Sequence, residues 1–171
     1  MKKIVMLLLV MVLVIASFGV VASAAPLGDA VYSDIVVYIN HFPISSYTFE
    51  NRTLIVAEDL RNFGFDVQWD AENFCLRINR DLNKNTISEK LVFVPPANRV
   101  GTKSITITDT AVKVFTGNYQ YSSFGGIDGA TLIDINDLYC IDNVSIHWVP
   151  EVRAVKIWIE DGLEMRVVPR V

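Results

Sequence analysis

The chain has 171 residues, of which 51% are hydrophobic, and its 15 basic and 19 acidic side chains give a formal net charge of −4. An acidic chain without a basic cluster matches a phosphate backbone poorly, so we expect no nucleic-acid partner. The length suits one ordinary domain or two very small ones.

The N-terminus predicts export from the cell. Two lysines, Lys2 and Lys3, precede the apolar run Ile4–Ile15, and Ala22-Ser23-Ala24 provides the small residues that signal peptidase requires. We therefore predict a signal peptide over residues 1–24, cleaved after Ala24, and a secreted or envelope-associated product with a net charge near −6. An uncleaved membrane anchor is the alternative, because the apolar stretch approaches the roughly 20 residues that span a bilayer.

An internal repeat follows the predicted signal peptide. A shift of 78 positions, which becomes 79 after a one-residue insertion, aligns the following pairs: Val36 with Val114, Asn40 with Asn118, 53–55 with 131–133, Trp69 with Trp148, and Ile78 with Ile157. Matches at both turn and core positions indicate a duplicated supersecondary unit. We predict that copy one covers residues 31–96 and that the more divergent copy two covers residues 104–171.

Each copy is predicted to contain two strands, a short helix and two further strands. The predicted elements of copy one, in chain order, are strand 35–40 with its continuation 42–44 after a bend at Asn40-His41, strand 53–56, a helix over 57–63 ended by Gly64, and a hairpin of strands 65–69 and 74–78. Those of copy two are strand 112–115, a bend at Gly117-Asn118, a helix over 134–140, and strands 145–149 and 154–159. This order predicts an α+β fold of two tandem strand-strand-helix-strand-strand repeats.

The apolar alternation also predicts which side chains are buried. Trp69 and Trp148 share one strand face with apolar neighbours, so both are predicted to lie in the core. Trp158 alternates with the apolar residues of its strand and is predicted to point away from them together with Lys156. We expect the two copies to pack together, because a unit of about 50 residues buries too little apolar area to be stable alone.

Several segments carry a family resemblance. In copy one these are 36–40 (VVYIN), 51–56 (NRTLIV), 58–64 (EDLRNFG) and 67–70 (VQWD), and in copy two they are 128–133 and 146–148. They resemble the copper amine oxidase N-terminal-like domain, also called the stalk domain, of secreted bacterial proteins. The resemblance implies an α+β fold with an antiparallel sheet curled around a helix, export, and no catalytic residues.

The titratable residues do not form a recognisable reactive site. Two isolated histidines, His41 and His147, fall at different places in the repeats and do not provide the ligands of a copper centre, so we expect no copper and no other cofactor. The acid pairs Glu58-Asp59 and Asp134 with Asp137 are accounted for by helix capping and the helix dipole. No local motif marks a nucleophile, so the chain is predicted to be non-catalytic.

The two cysteines, Cys75 and Cys140, occupy non-equivalent places in the repeats and match no redox or zinc spacing. Export would permit a disulfide between them, but a bond requires Cα atoms within about 7 Å. The alternative is that they are two small, half-buried free thiols.

Aromatic side chains are the remaining candidates for binding. Trp158, Tyr119, Tyr121 and Phe124 lack a clear core pattern, and such side chains either stack on sugar rings, contact a protein or cover the other repeat. We therefore predict a non-catalytic, exported module of the cell envelope that acts as a spacer or protein-interaction domain. The alternative is a carbohydrate- or peptidoglycan-binding module. The expected partner is an envelope polymer or another exported protein, and a membrane only if the signal peptide stays uncleaved.

Overall fold

The computed structural model describes residues 25–81, 97–126 and 128–159. The predicted signal peptide and the C-terminal ends of both predicted repeats lie outside these residues. The strands of copy one, together with the preceding residues 26–30, are β1 (Pro26–Tyr32), β2 (Val36–Ile39), β3 (Phe42–Ile44), β4 (Ser46–Phe49), β5 (Arg52–Val56), β6 (Phe65–Asp70) and β7 (Cys75–Arg80). Those of copy two, together with the preceding Lys103, are β8 (Lys103–Thr108), β9 (Lys113–Thr116), β10 (Tyr119–Gln120), β11 (Ser123–Gly126), β12 (Thr131–Asp134), β13 (Val144–Val149) and β14 (Ala154–Ile159).

The α+β expectation is wrong, because the described part of the chain is mostly β, with 57% strand and 15% helix. Its helical segments are short 3₁₀ helices at Ala57–Phe63, Ala97–Arg99, Ile135–Cys140 and Pro150–Val152. Segments of three to seven residues between strands are too short to form stable α-helices, and 3₁₀ geometry is common in such connections. Gly64 ends the first of them in the left-handed conformation, with φ of 82°. The β-branched and aromatic residues around them form strands.

The strands form one closed barrel and two four-stranded sheets, not one sheet curled around helices. The barrel has the order β1-β4-β5-β12-β11-β8, and the sheets have the orders β10-β9-β7-β6 and β13-β14-β2-β3. Each sheet combines a hairpin from one copy with strands from the other, because β7 pairs in parallel with β9 and β14 pairs in parallel with β2. The two copies are therefore interlocked.

The strand pairs between the copies are arranged about an approximate two-fold axis, which relates copy one to copy two. Across the barrel, Ile55 lies opposite Ile133, where β5 of copy one meets β12 of copy two. The Ser46 hydroxyl donates to the Ile35 carbonyl at 2.8 Å, and the Ser123 hydroxyl donates equivalently to the Val112 carbonyl at 2.8 Å.

The residues of the second hydrogen bond lie 77 positions after those of the first. The 78-residue alignment is therefore one position off in the first part of the repeat. Val114 corresponds to Val37, and not to Val36: both valines are fully buried, and both have equivalent neighbours in the paired hairpin. Copy two has one residue more between Ser123 of β11 and Ile133 of β12 than copy one has between Ser46 of β4 and Ile55 of β5. A single-residue shift of this kind exchanges the two faces of a strand.

Successive side chains of the barrel strands point alternately into the barrel and out of it, and the described residues therefore form two apolar cores. Leu54 and Leu132 point into the barrel and pack with Ala30, Phe49 and Ile107. Their neighbours Ile55 and Ile133 point the opposite way. They join a larger core formed by both sheets and the two longer 3₁₀ helices, which includes Ile39, Leu60, Phe65, Ile78, Leu138 and Ile157.

The two tryptophans predicted to be buried are half-exposed. Trp69 is 47% and Trp148 is 48% exposed, whereas Phe65 and Val67, on the same face of β6 as Trp69, are buried. The alternation predicted the face of the strand correctly but not the depth of burial along it. At its end, Trp69 packs edge-on against Phe74, with the ring centroids 6.2 Å apart.

Candidate functional site

A cleft of about 350 Å³ opens beside the outer face of the sheet β13-β14-β2-β3. We call it the aromatic cleft; its lining residues are Tyr38, His41, Val152, Ala154, Lys156, Ile157 and Trp158. A volume of this size falls within the range of small-ligand sites. The aromatic rings come from both copies, because β2 belongs to copy one and β14 belongs to copy two.

The alternation of β14 positions the first wall of the aromatic cleft. Val155, Ile157 and Ile159 belong to the larger core, so the side chains between them turn outward. Lys156 and Trp158 therefore lie on the outer face. The parallel pairing of β14 with β2 places Tyr38 directly beside Lys156.

A tight turn positions the second wall. Asn40 and His41 both adopt left-handed backbone conformations, with φ of 45° and 76°, as in the two-residue turns that suit hairpins. The Asn40 N–H donates to the Ile157 carbonyl, and the Asn40 side-chain oxygen accepts a hydrogen bond from the Ile159 N–H, both at 2.9 Å. These bonds hold the turn against β14. The imidazole of His41 consequently meets the indole of Trp158 edge-on, with a centroid separation of 4.5 Å.

The end of the cleft near Val152 is fixed by an ion pair. Arg153, with φ of 47°, ends the 3₁₀ turn Pro150–Val152, and its carbonyl accepts a hydrogen bond from the Val36 N–H. Its guanidinium Nε lies 2.7 Å from a carboxylate oxygen of Asp34. That hydrogen bond holds the pKa of Asp34 below its usual value. The ion pair links the two copies and orients the turn that carries Val152.

The lining of the aromatic cleft provides stacking surfaces and hydrogen-bond donors. It combines an indole, a phenol and an imidazole with one ammonium group, and it has no carboxylate to pair with another across the opening. Within residues 25–81, 97–126 and 128–159, no group of three or more His, Cys, Asp and Glu side chains is arranged to hold a metal ion. The arrangement can stack on a flat apolar surface and donate hydrogen bonds to an oxygen-rich or anionic group.

The equivalent surface of the other sheet has a different character. The side chains that correspond to Tyr38, Lys156 and Trp158 are Phe115, Arg77 and Asn79. An asparagine therefore replaces the tryptophan, and the position of His41 is taken by Asn118. The aromatic cleft therefore lies on one of two equivalent sheets. The other sheet provides a comparison within the same molecule.

Of the four aromatic residues predicted to bind, Trp158 alone lines the cleft. Tyr121 is 2% exposed and belongs to the larger core. Phe124 packs in the barrel against Phe49, with a centroid distance of 5.7 Å. Tyr119 remains exposed, but it lies on the other sheet.

The Tyr119 hydroxyl has a structural partner. It donates to a carboxylate oxygen of Asp137 at 3.0 Å, and this hydrogen bond to an acceptor raises the pKa of Tyr119 to about 12. Asp137 also accepts from the Ser122 N–H at 2.9 Å. Sequence reasoning missed Tyr38 as a site residue and did not associate His41 with Trp158. The alternation in β2 could have identified the facing of Tyr38, but no local signal indicates that β2 pairs with β14.

The two cysteines and the two acid pairs have environments that differ from the aromatic cleft. Both thiols are free; Cys75 is buried and Cys140 is exposed. A carboxylate oxygen of Glu58 accepts from the Thr131 N–H at 3.2 Å and so connects the copies. Burial and the neighbouring Glu58 charge raise the pKa of Asp59. Asp134 caps its 3₁₀ helix by accepting from the Asn136 N–H at 2.9 Å.

No family model, curated protein or solved structure matches this chain. The resemblance to the copper amine oxidase N-terminal-like domain therefore stays a prediction that rests on the segments quoted above. In the described part of the chain, no helix is long and apolar enough to cross a membrane.

Proposed function

We propose that this chain is a non-catalytic, exported module that binds a glycan of the cell envelope in the aromatic cleft. The observation that carries the proposal is the arrangement of Trp158 against His41, with Tyr38 and Lys156 on the adjacent strand positions. Flat aromatic faces match the apolar faces of sugar rings. The Lys156 ammonium offers three hydrogen-bond donors to sugar hydroxyls or carboxylates.

The location in the envelope is proposed from the sequence. The Lys2-Lys3 pair, the apolar run and the Ala22-Ser23-Ala24 site support export. A role as a simple spacer is less favoured by the fold, because interlocked copies do not add length in the way that separate repeats in a row do.

The glycan proposal is tested by sedimentation of residues 25–171 with purified peptidoglycan. We expect the protein to co-sediment, and we expect Trp158→Ala to weaken binding by about tenfold or more, as for a central aromatic anchor. Lys156→Met should weaken binding to acidic glycans more than to neutral ones. The readout is the bound fraction as a function of glycan concentration.

The matched control is Trp69→Ala. Trp69 is also half-exposed and lies in the equivalent hairpin of the other sheet, so this variant should bind like the wild type. Sedimentation no greater than that of an unrelated protein would reject a peptidoglycan ligand. Loss of binding in Trp69→Ala, with Trp158→Ala unaffected, would show that the site lies elsewhere.

A further inference from the structure

Among the described residues, strand β13 is an edge strand of the sheet β13-β14-β2-β3 and pairs only with β14. The carbonyl groups of Arg153, which directly precedes β14, and of Ile157 within it accept hydrogen bonds from Val36 of β2 and from Asn40 of the adjoining turn, so the odd-numbered residues of β14 direct their backbone groups toward β2. The residues opposite Ile157 and Val155 are Ile146 and Trp148. Their N–H and C=O groups must therefore point away from β14, toward the outside of the sheet.

An apolar groove of about 520 Å³ accompanies this edge. Its lining residues are Ile135, Asn136, Tyr139, Cys140, Ile146, Trp148 and Val155. Tyr139 is 69% and Trp148 is 48% exposed. The six residues of β13 (VSIHWV) include no Lys, Arg, Asp or Glu. Natural edge strands usually carry such charges, because charges prevent pairing with another chain.

The equivalent edge in the other sheet is protected. There the Arg61 side chain donates from Nε to the outward carbonyl of Val67 at 2.8 Å, and β6 carries two aspartates. Leu60 and Leu138 are equivalent buried residues of the two 3₁₀ helices, so Tyr139 takes the place of Arg61. Ile146 takes the place of Val67. In the part of the chain that the structure describes, no side chain donates to the Ile146 carbonyl, so these residues cover one of the two equivalent edges and not the other.

We propose that β13 pairs with β13 of a second copy of this chain, antiparallel about a two-fold axis at Ile146. In this register, each Ile146 exchanges two backbone hydrogen bonds with its counterpart. Each Trp148 N–H donates to a Val144 carbonyl of the second copy. The Val144 N–H is already used internally, since it donates to the Ile141 carbonyl at 3.3 Å.

The side chains are compatible with this self-pairing. Ile146 lies opposite its counterpart and Trp148 lies opposite Val144, while His147 on the other face lies opposite Ser145. No like formal charges face each other, although the chain as a whole is acidic. The grooves beside the strands are apolar on both copies. A second copy of this chain therefore provides an uncharged strand, a matching register and an apolar surface for this edge.

Sedimentation velocity of residues 25–171 over micromolar to millimolar concentrations tests the proposal, with a dimer as the expected result. Tyr139→Arg restores the cap found in the other copy, and Trp148→Lys places a charge on the edge. Each should raise the dimer dissociation constant by at least about tenfold. Trp69→Lys, at the repeat-equivalent position, should leave the dimer intact. Unchanged far-UV circular dichroism in each variant would show that folding is preserved.

A wild-type protein that stays monomeric throughout this range would overturn the proposal. A dimer that survives both Tyr139→Arg and Trp148→Lys would also overturn it, because the interface would then lie elsewhere. Trp158→Ala should remain dimeric, so the outcome is independent of glycan binding.

Discussion

Residues 25–96, expressed alone, will not form a folded monomer. Four strands of copy one, β1, β2, β5 and β7, pair with strands of copy two. Isolation removes these partners, which leaves backbone groups unpaired and exposes residues such as Ile39 and Ile55 that are fully buried in the whole chain. A unit of this size has little core of its own to offset that loss. Far-UV circular dichroism and amide NMR dispersion at low concentration measure the result.

The complementary fragment provides the control for this prediction. Mixing residues 25–96 with residues 97–171 should restore the dispersed spectrum of the intact chain, because the fragments together contain every described strand pair. Folding of the first fragment alone should appear only with self-association, since the two-fold arrangement lets a second identical copy replace the missing one. A well-dispersed spectrum from monomeric 25–96 would contradict the interlocked arrangement.

Replacement of Ile133 by alanine is expected to lower the free energy of unfolding by about 2–5 kcal/mol, the range for loss of a large aliphatic core side chain. Ile133 is fully buried and lies opposite Ile55 where the two copies meet. Trp148→Ala should cost less than about 1 kcal/mol, because the tryptophan is already half-exposed. Urea denaturation, followed by circular dichroism, measures both values.

Because the copies share the barrel and the larger core, each denaturation curve should show one cooperative transition. Ile55→Ala, on the other side of the two-fold axis, is the matched variant and should have a similar effect. Two well-separated midpoints would mean that the copies unfold independently. A larger loss in Trp148→Ala than in Ile133→Ala would contradict the burial described here.

Local patterns predicted much of the site but not its assembly. The alternation around Trp158 predicted its facing with Lys156, the Asn40-His41 pair predicted a turn, and Gly64 marked the end of a helical segment. These features depend on neighbouring residues alone. The aromatic cleft requires Tyr38 and Trp158 to lie on adjacent strands, although the residues are 120 positions apart in the chain. Nothing in the spacing of apolar residues identifies that partner.

The errors have a common physical cause. The strand face that Trp69 and Trp148 share with apolar residues predicts burial, but periodicity gives the direction of a side chain and not its depth. The helix predictions recognised the segments but not that six or seven residues between strands adopt 3₁₀ geometry. Tyr121 and Phe124 were missed as core residues because their burial comes from strands elsewhere in the sequence. In each case the deciding contacts are long-range.

The exchange of strands between the copies also determines the order in which the molecule can fold. The β6–β7 and β13–β14 hairpins join residues close in the chain and can form early. In contrast, the hydrogen bond from Thr106 to Asp29 spans 77 residues, and that from Ile159 to Asn40 spans 119. Closing such loops before they are stabilised slows folding to about milliseconds to seconds in β proteins. The barrel seam between β1 and β8 therefore closes late, and a chain that stops within copy two lacks strands with which copy one pairs.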